Sequence, residues 1–563
     1  MLYSIDKIKK EIAKIVVKKL NVNESEVEIN IGPEGIADFS VPLFKFARIK
    51  KKSPAELAKQ LEGMKSEYFS KIKAEKGYLN FFLNIEEFNK LIFSDFEKLK
   101  QNYGKNDIGK NKTIVIDYSS PNIGKPMSIA HLRSTIIGDS LYRIFKFLGY
   151  KVIGDNHLGD WGLQYGQLLY AYKHWLNKDA FNKDPVKELL RLYVKFNSEA
   201  EKDPSLKEKA KEFFAKLEKG DKELLKIWKK FVDVSLKEFK KVYNLLGIKF
   251  DYYLGESFYV DKAREIVKEA LAKGVAKYDE KQGIVLIDLS KYGLIPLIIQ
   301  KSDESTLYAT RDLATAKYRL EKFKPEKILY VVGSEQKLYF NQVFKALELL
   351  GYKCNYVHVG FGLIVFKEGK LSTRRGRIIF LEEIIKEAIK RAEKLVTINV
   401  SKKEKEKIAK IIGIGAVKFN DLSQDRIKDV EFSWDKLLNL KGRSAPYIQY
   451  TYVRANSILR NAGKFDEKKV KPELLKEKEE TELVKQIALF PEIIKKASNI
   501  YQPYLIANYL YKLAETFHRF YETLPVLKAR PSLRETRLML VKFTAIVIKN
   551  GLYLLGIDVP GRM

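Results

Sequence analysis

The chain has 563 residues, more than one compact core accommodates, so three or four domains joined by short linkers are expected. Lys and Arg number 104 against 72 Asp and Glu, a net charge of +32; the surplus favours a polyanionic partner such as nucleic acid, with Lys-rich solvated helix faces as the plainer alternative. A single cysteine, Cys354, and five scattered histidines exclude a disulfide framework and a cysteine-based zinc site, and no apolar run approaches the roughly 18 residues that span a bilayer. A protein of the reducing cytoplasm, independent of any membrane, is expected.

Residues 1–20 are amphipathic and Lys-rich but carry Asp6 and Glu11, so they read as the first helix of a domain and not as a targeting peptide. Helical periodicity mixed with strand-like runs such as 78–83 continues to about residue 108, and the polar stretch 102–111 marks a boundary. Within it, GKNDIGKN (104–111) nearly matches a phosphate loop. It ends in Asn where a hydroxyl must bind magnesium and precedes a strand that it should follow, so it reads as a linker.

Residues 113–118 (TIVIDY) read as a buried strand, followed by the loop SSPNIGKPM and a helix in which Ile129, Leu132, Ile136, Ile137, Leu141, Ile144, Phe145 and Leu148 recur at spacings of three and four. Ser128 stands at the expected N-cap and Gly149 at the C′ position. Residues 151–153 follow as a second strand. A strand, a Gly/Pro loop and a helix N-terminus suit an anion, because free N–H groups and the helix dipole point the same way.

From about 166 to 285 the sequence is charged and helical and reads as an insertion. Strands at 294–299, 328–332 and 356–359 then alternate with helices at 311–322 and 338–350, predicting a second β-α-β-α-β half of a doubly wound parallel sheet with ligands at the strand C-termini. Beyond about 398, strand signals nearly vanish and helices run to the end. The fold class is thus an α/β core, with a mixed region before it and a helical region after it; the expected limits are 1–108, 109–397 and 398–563.

Residues 117–166, DYSSPNIGKPMSIAHLRSTIIGDSLYRIFKFLGYKVIGDNHLGDWGLQYG, resemble the first nucleotide-binding half of class I aminoacyl-tRNA synthetases and, more narrowly, arginyl-tRNA synthetase. LYATRDLATAKYR (307–319), GSEQKLYFNQVF (333–344), HVGFGLIVFKEGKLSTRRG (358–376), APYIQYTYVR (445–454), FHRFY (517–521) and LLGIDVPGRM (554–563) resemble the same family in the same order. The resemblance implies an α+β N-terminal domain that binds the tRNA elbow, a split Rossmann-like catalytic core and an all-α C-terminal anticodon-binding domain. It implies activation of L-arginine by ATP with Mg²⁺, transfer to the 3′-terminal adenosine of tRNA(Arg), and activation that waits for bound tRNA. No zinc and no membrane partner are expected, and the chain is expected to act as a monomer.

Activation is in-line attack of a carboxylate on the α-phosphorus of ATP, so cations and N–H donors must orient two anions and stabilise the charge that develops. By resemblance, Lys125, Ser128, Ala130 and His131 form the ATP signature loop. The family's His-x-Gly-His reads here Ser128, Ile129, Ala130, His131: a neutral hydroxyl replaces a potential cation, and a methyl stands where glycine lets the nucleotide approach. The second signature, usually Lys-Met-Ser-Lys, reads Lys370, Leu371, Ser372, Thr373, and Arg374 follows. It implies Lys370 and Arg374 at the β- and γ-phosphates, with Lys125 substituting for the missing second lysine.

A guanidinium needs planar carboxylate acceptors, and Asp117 and Asp312 are the candidates. Taken without the resemblance, Asp117 reads as a strand-end residue and Asp312 as a first-turn helix acid. The resemblance adds Asn122, Ser128, Tyr308 and Gln336 as contacts to the amino acid. Gly159–Gly162 reads as a tight turn with a packed Trp161; His157, His174 and His358 read as structural, and His518 as packed. For tRNA, aromatic faces and cations are required, and the resemblance points to Tyr447, Tyr450, Tyr521 and Met563. An impaired relative lacking activation, a basic RNA-binding scaffold and a lysine-specific synthetase are the rival readings.

Overall fold

The structure is a computed structural model that describes residues 3–32, 35–366 and 379–563. The first helix, Ser4–Leu20, buries Ile5, Ile8, Ile12, Ile15, Val16 and Leu20 along one stripe. It belongs with an antiparallel sheet ordered Asn30–Ile31, Phe39–Pro42, Tyr78–Leu83, Phe69–Glu75 and with the helix Ile85–Leu99. This α+β unit rests on the C-terminal helices: Lys495 pairs with Asp6 at 2.9 Å, and Asn89 donates to the Pro472 and Leu475 carbonyls.

The centre of the chain is a four-stranded parallel sheet in the spatial order Asn355–His358, Lys327–Tyr330, Thr113–Asp117, Lys151–Asp155. Ile114, Val115, Ile116, Ile328 and Leu329 are buried, as strands covered on both faces require. The register sets His358, Tyr330, Asp117 and Asp155 side by side at the C-terminal ends. The two nucleotide-binding halves meet between Thr113–Asp117 and Lys327–Tyr330, the switch point at which such sheets open a crevice.

Two expectations about this region are corrected. The strand expected at 294–299 is Leu297–Gln300, and it does not join the parallel sheet. It pairs antiparallel with Ile284–Ile287, which pairs in turn with Ala276–Asp279, so the last part of the stretch expected to be helical is a hairpin. Leu297 and Ile299 are buried while Ile298 is 40% exposed; one wet face is the mark of an antiparallel sheet, and a short apolar run does not reveal which partner it takes. The rest of the insertion is helical, from Leu163–Trp175 to Lys222–Leu246.

Helices Lys402–Leu422, Ala445–Ala462, Lys478–Asn499, Tyr504–Thr523 and Pro531–Leu554 build the C-terminal region. Between the first two of them in the chain, Val430–Phe432 pairs in parallel with Ile364–Phe366. Among the described residues, no helix is long and apolar enough to cross a membrane. A buried ion pair at 2.8 Å, Arg133 to Asp421, ties Lys402–Leu422 to the helix Ala130–Phe147.

Helix Ala130–Phe147 lies close over the strand end because Gly138 has no side chain: a Cβ there would collide with the ring of buried Tyr118. Gly138→Ala is expected to cost about 1–3 kcal/mol through overpacking, read as a lower urea midpoint of the central α/β region; an unchanged midpoint would show that the helix has room to shift.

Candidate active site

The loop leaving Thr113–Asp117 turns through two left-handed residues in succession, Ser119 (φ 75°) and Ser120 (φ 46°). Such backbone is costly for residues with a Cβ and persists only where its surroundings fix it. Here the Ser119 N–H donates to Ser134 Oγ at 2.8 Å, and its hydroxyl meets Thr135 Oγ1 and the Tyr243 hydroxyl. The Ser120 N–H donates to Asn156 Oδ1, and its hydroxyl donates to Asp117 Oδ1 at 3.0 Å. The next residues are stitched to the Gly159 segment: Ile123 N–H donates to the Gly159 carbonyl and Gly159 N–H to the Pro121 carbonyl. A Cβ at Gly159 would strike the Asn122 side chain. Trp161 packs edge-on against Phe214 and Trp228, the packed tryptophan that its residues suggest, but the segment is an extended bridge to Asn122 and not the expected tight turn.

At the mouth of Ala130–Phe147 the expected cap is corrected. Ile129 is the N-cap, and no side chain caps it. Ser128 instead turns to the histidine three residues on: its N–H donates to His131 Nδ1 at 3.1 Å and its hydroxyl lies 3.2 Å from the same nitrogen. An acceptor role at Nδ1 leaves the ring proton on Nε2. Burial, first, and the nearby Lys125 charge pull the His131 pKa below its usual value. The imidazole is therefore a neutral N–H donor. Lys125 Nζ lies 3.7 Å from the ring centroid of Tyr193, on the insertion helix Pro185–Lys202, and Ala130 is exposed at the helix mouth.

Lys370, Leu371, Ser372 and Arg374 lie outside the described residues. The chain just after them is anchored to the first signature, with Ile129 N–H donating to the Ile379 carbonyl and Leu381 N–H to the Met127 carbonyl.

Helix Tyr308–Phe323 presents Tyr308, Arg311, Asp312, Thr315 and Arg319 at spacings of three and four. Asp312 accepts a hydrogen bond from the Tyr339 hydroxyl and lies 4.0 Å from His157 Nε2. Tyr308, 56% exposed, stacks obliquely on Tyr339 with centroids 5.1 Å apart. Arg311 pairs with Glu256 at 2.7 Å. Buried Arg319 reaches both Asp117 and Asp155 at 2.8 Å. Asp160, buried, accepts from the N–H and hydroxyl of Ser257. Gln336 is exposed on the rim, in the turn before Lys337–Leu349.

Five carboxylates, Asp117, Asp155, Asp160, Glu256 and Asp312, thus gather with two guanidiniums, Arg311 and Arg319, and the imidazole of His157. Burial raises the carboxyls of Asp155, Asp160, Glu256 and Asp312 above the ordinary range. The pocket carries more acid than its own cations balance, the arrangement that suits a cationic ligand. Of the residues singled out in the sequence, Tyr308, Asp312 and Asp117 come together here, whereas Lys125, Ser128, Ala130 and His131 lie at the mouth of Ala130–Phe147. Asp155, Asp160, Glu256, Arg319, Tyr339 and His157 were missed as parts of this pocket; the helical spacing from Asp312 to Arg319 was the available signal. Among the described residues no group of three or more His, Cys, Asp or Glu gathers to hold a metal.

A cavity of about 870 Å³ opens on the C-terminal helices and is lined by Tyr447, Tyr450, Tyr521, Arg454, His518 and Lys441. Arg454 donates to the Tyr450 hydroxyl at 2.6 Å and lies over the Tyr521 ring. His518 stacks near Tyr450, meets Thr451 Oγ1 at 2.9 Å and is kept on the neutral side by burial. Met563 is not in this cavity; it packs against the buried cluster of Ala392, Ile408, Ala409 and Ile412 on the helices Leu381–Glu393 and Lys402–Leu422.

The family model for the catalytic domain of class I tRNA synthetases (R) matches residues 96–434, that for the arginyl tRNA synthetase N-terminal domain matches 4–83, and that for the DALR anticodon binding domain matches 448–563. Proteins named arginine–tRNA ligase from Halothermothrix orenii and Clostridium kluyveri are 43% and 44% identical, the alignments covering 97% and 98% of both chains. A crystal structure of arginyl-tRNA synthetase from Plasmodium falciparum superposes with a TM-score of 0.82 at 25% identity, covering 99% of each chain. The Thermus thermophilus arginyl-tRNA synthetase shares the fold, with a TM-score of 0.84 at 23% identity over 99% of this chain and 100% of that one. Matched from end to end by relatives above 40% identity and through its core by the catalytic-domain model, this chain belongs to the arginyl-tRNA synthetase family of class I aminoacyl-tRNA synthetases.

Proposed function

We propose that this protein joins L-arginine to the 3′-terminal adenosine of tRNA(Arg). The substrate carboxylate attacks the α-phosphorus of ATP, giving arginyl-adenylate and pyrophosphate, and a ribose hydroxyl of the tRNA then takes the arginyl group and releases AMP. The observation that carries this reading is the surplus of carboxylates gathered at the strand ends and joined, through Asp117 and Ser120, to the loop that leads to Lys125. Asp312, oriented by Tyr339 and backed by the negative charge of Asp117, holds the guanidinium, and Tyr308 covers it. Asn122, Ser128 and Gln336 hold the amino-acid end.

ATP enters as its Mg²⁺ complex. His131, a neutral Nε2–H donor, and Lys125 act on it together with Ser128, beside the helix N-terminus and the exposed methyl of Ala130. Lys125 leaves Tyr193 to do so, a modest cost for a cation–π contact at a partly open site. Lys370 and Arg374 serve the β- and γ-phosphates, and Leu371 and Ser372 complete the ATP-binding signature. Tyr447, Tyr450 and Tyr521 stack anticodon bases while Arg454 and Lys441 face phosphate; Met563 steadies the helices Leu381–Glu393 and Lys402–Leu422. The reading divides the chain at 1–108, 109–397 and 398–563 and has it work as a monomer in the cytoplasm.

Purified protein with ATP, Mg²⁺ and total tRNA is expected to charge arginine and not lysine, and Lys125→Ala is expected to lower the rate about 100-fold. Charging by lysine, or no charging by folded protein, would sink the reading. Asp312→Asn is expected to raise KM for arginine about 100-fold with little change in KM for ATP. An equal loss for both substrates would refute the role of Asp312.

Acidification tests the same residue. Burial holds the Asp312 carboxyl above its ordinary range, against the opposing pull of His157, while a bound guanidinium requires it ionised. Arginine affinity is therefore full above the raised Asp312 value and is lost as pH falls through it, where binding has to expel the carboxyl proton. KM for arginine should climb on acidification more steeply than KM for ATP, and most of that slope should vanish in Asp312→Asn; a parallel climb of both constants would contradict the assignment.

A further inference from the structure

Helix Tyr308–Phe323 carries its inward face down to Arg319, whose side chain has no solvent exposure. Nε and Nη2 donate to Asp155 Oδ2 at 3.0 and 2.8 Å, and Nη2 also donates to Asp117 Oδ2 at 2.8 Å. Asp117 and Asp155 are register partners at the ends of neighbouring parallel strands, so the sheet itself brings the two carboxylates to one guanidinium.

We propose that Arg319 is a positioning residue for arginine activation. It fills, with the protein's own guanidinium, a carboxylate pair that is chemically an acceptor for the substrate's side chain, and it thereby leaves Asp312 as the acceptor open to the substrate. The proposal rests on the reading that arginine is the amino acid activated here.

Two features distinguish this from a purely structural ion pair. First, the ligand matched by the Asp117–Asp155 pair is the same group that the substrate carries, and the pair adjoins Asp312: Arg319, which holds the pair, projects from the same helix as Asp312, and the charge of Asp117 helps to raise the Asp312 carboxyl. An empty pair would compete for the substrate and hold it with its carboxylate away from ATP, lowering kcat without raising KM. Second, the other oxygen of Asp117 accepts the Ser120 hydroxyl, so the same carboxylate that Arg319 orients holds the left-handed loop leading to Asn122 and Lys125. A shift there changes how the arginine carboxylate and ATP are aimed at each other, which costs turnover more than binding.

The test is arginine-dependent pyrophosphate exchange, with tRNA present, by wild type, Arg319→Ala and Arg319→Lys, each with and without millimolar guanidinium ion, alongside thermal melts. Arg319→Ala is expected to lose about 100-fold in kcat with little rise in KM for arginine. Guanidinium ion is expected to restore a large part of the loss in that variant while only competing with arginine in the wild type. Arg319→Lys keeps the charge and loses the fork, so its kcat is expected about tenfold down with a melt close to wild type; it carries the test if the alanine variant fails to fold. A folded Arg319→Ala that guanidinium does not revive, or an Arg319→Lys as fast as wild type, would overturn the proposal while leaving the reaction assignment intact. Failure of the wild type to exchange pyrophosphate with arginine would overturn that assignment instead.

Discussion

The parallel register that aligns Asp117 with Asp155 brings two carboxylates together in the interior, and one guanidinium, that of Arg319, holds both. Buried charges persist only when paired and hydrogen-bonded, so this triad fixes how the strand ends, the helix Tyr308–Phe323 and the Ser119–Ser120 loop meet. The loop's left-handed backbone is secured by the Asp117 carboxylate on one side and by Ser134, Thr135, Tyr243 and Asn156 on the other. Everything the loop carries onward, from Asn122 to the signature helix, inherits its position from that arrangement.

On this frame the crevice divides by charge. One rim holds Lys125, the neutral donor His131 and the open end of Ala130–Phe147, a setting for phosphate. The other holds acids in excess of their partners, with the carboxyls of Asp160, Glu256 and Asp312 raised by burial. A substrate with a cationic side chain and an anionic head spans the two in one orientation, which directs its carboxylate toward the nucleotide. The replacement of the family's first histidine by Ser128 keeps this polarity, because Ser128 serves here to set the His131 tautomer and contributes no charge of its own.

Local signals were legible in the sequence wherever neighbours along the chain decide the outcome. The spacing of Ile136, Leu141 and Ile144 outlines the signature helix, Gly149 takes the left-handed position after it, and the strand-like run Tyr78–Leu83 is a strand. Where a distant partner decides, the residues alone were silent. Leu297–Gln300 looks like a strand of the central sheet until its partner, Ile284–Ile287, is known. Ser128 has the chemistry of a cap, but His131 competes for it. Arg319, near a helix C-terminus, passes for a cation that complements the dipole until the strands carrying Asp117 and Asp155 are brought beneath it. That Asp117 and Asp312 share a pocket across so much intervening sequence was legible only through resemblance to a family.

The central claim is that unbalanced carboxylates select a guanidinium by charge. Calorimetric titration of the tRNA-bound protein with arginine and with citrulline, of the same length but carrying a neutral ureido group, tests it most directly. The account predicts arginine bound at least about 100-fold more tightly; equal affinity for the two would contradict it.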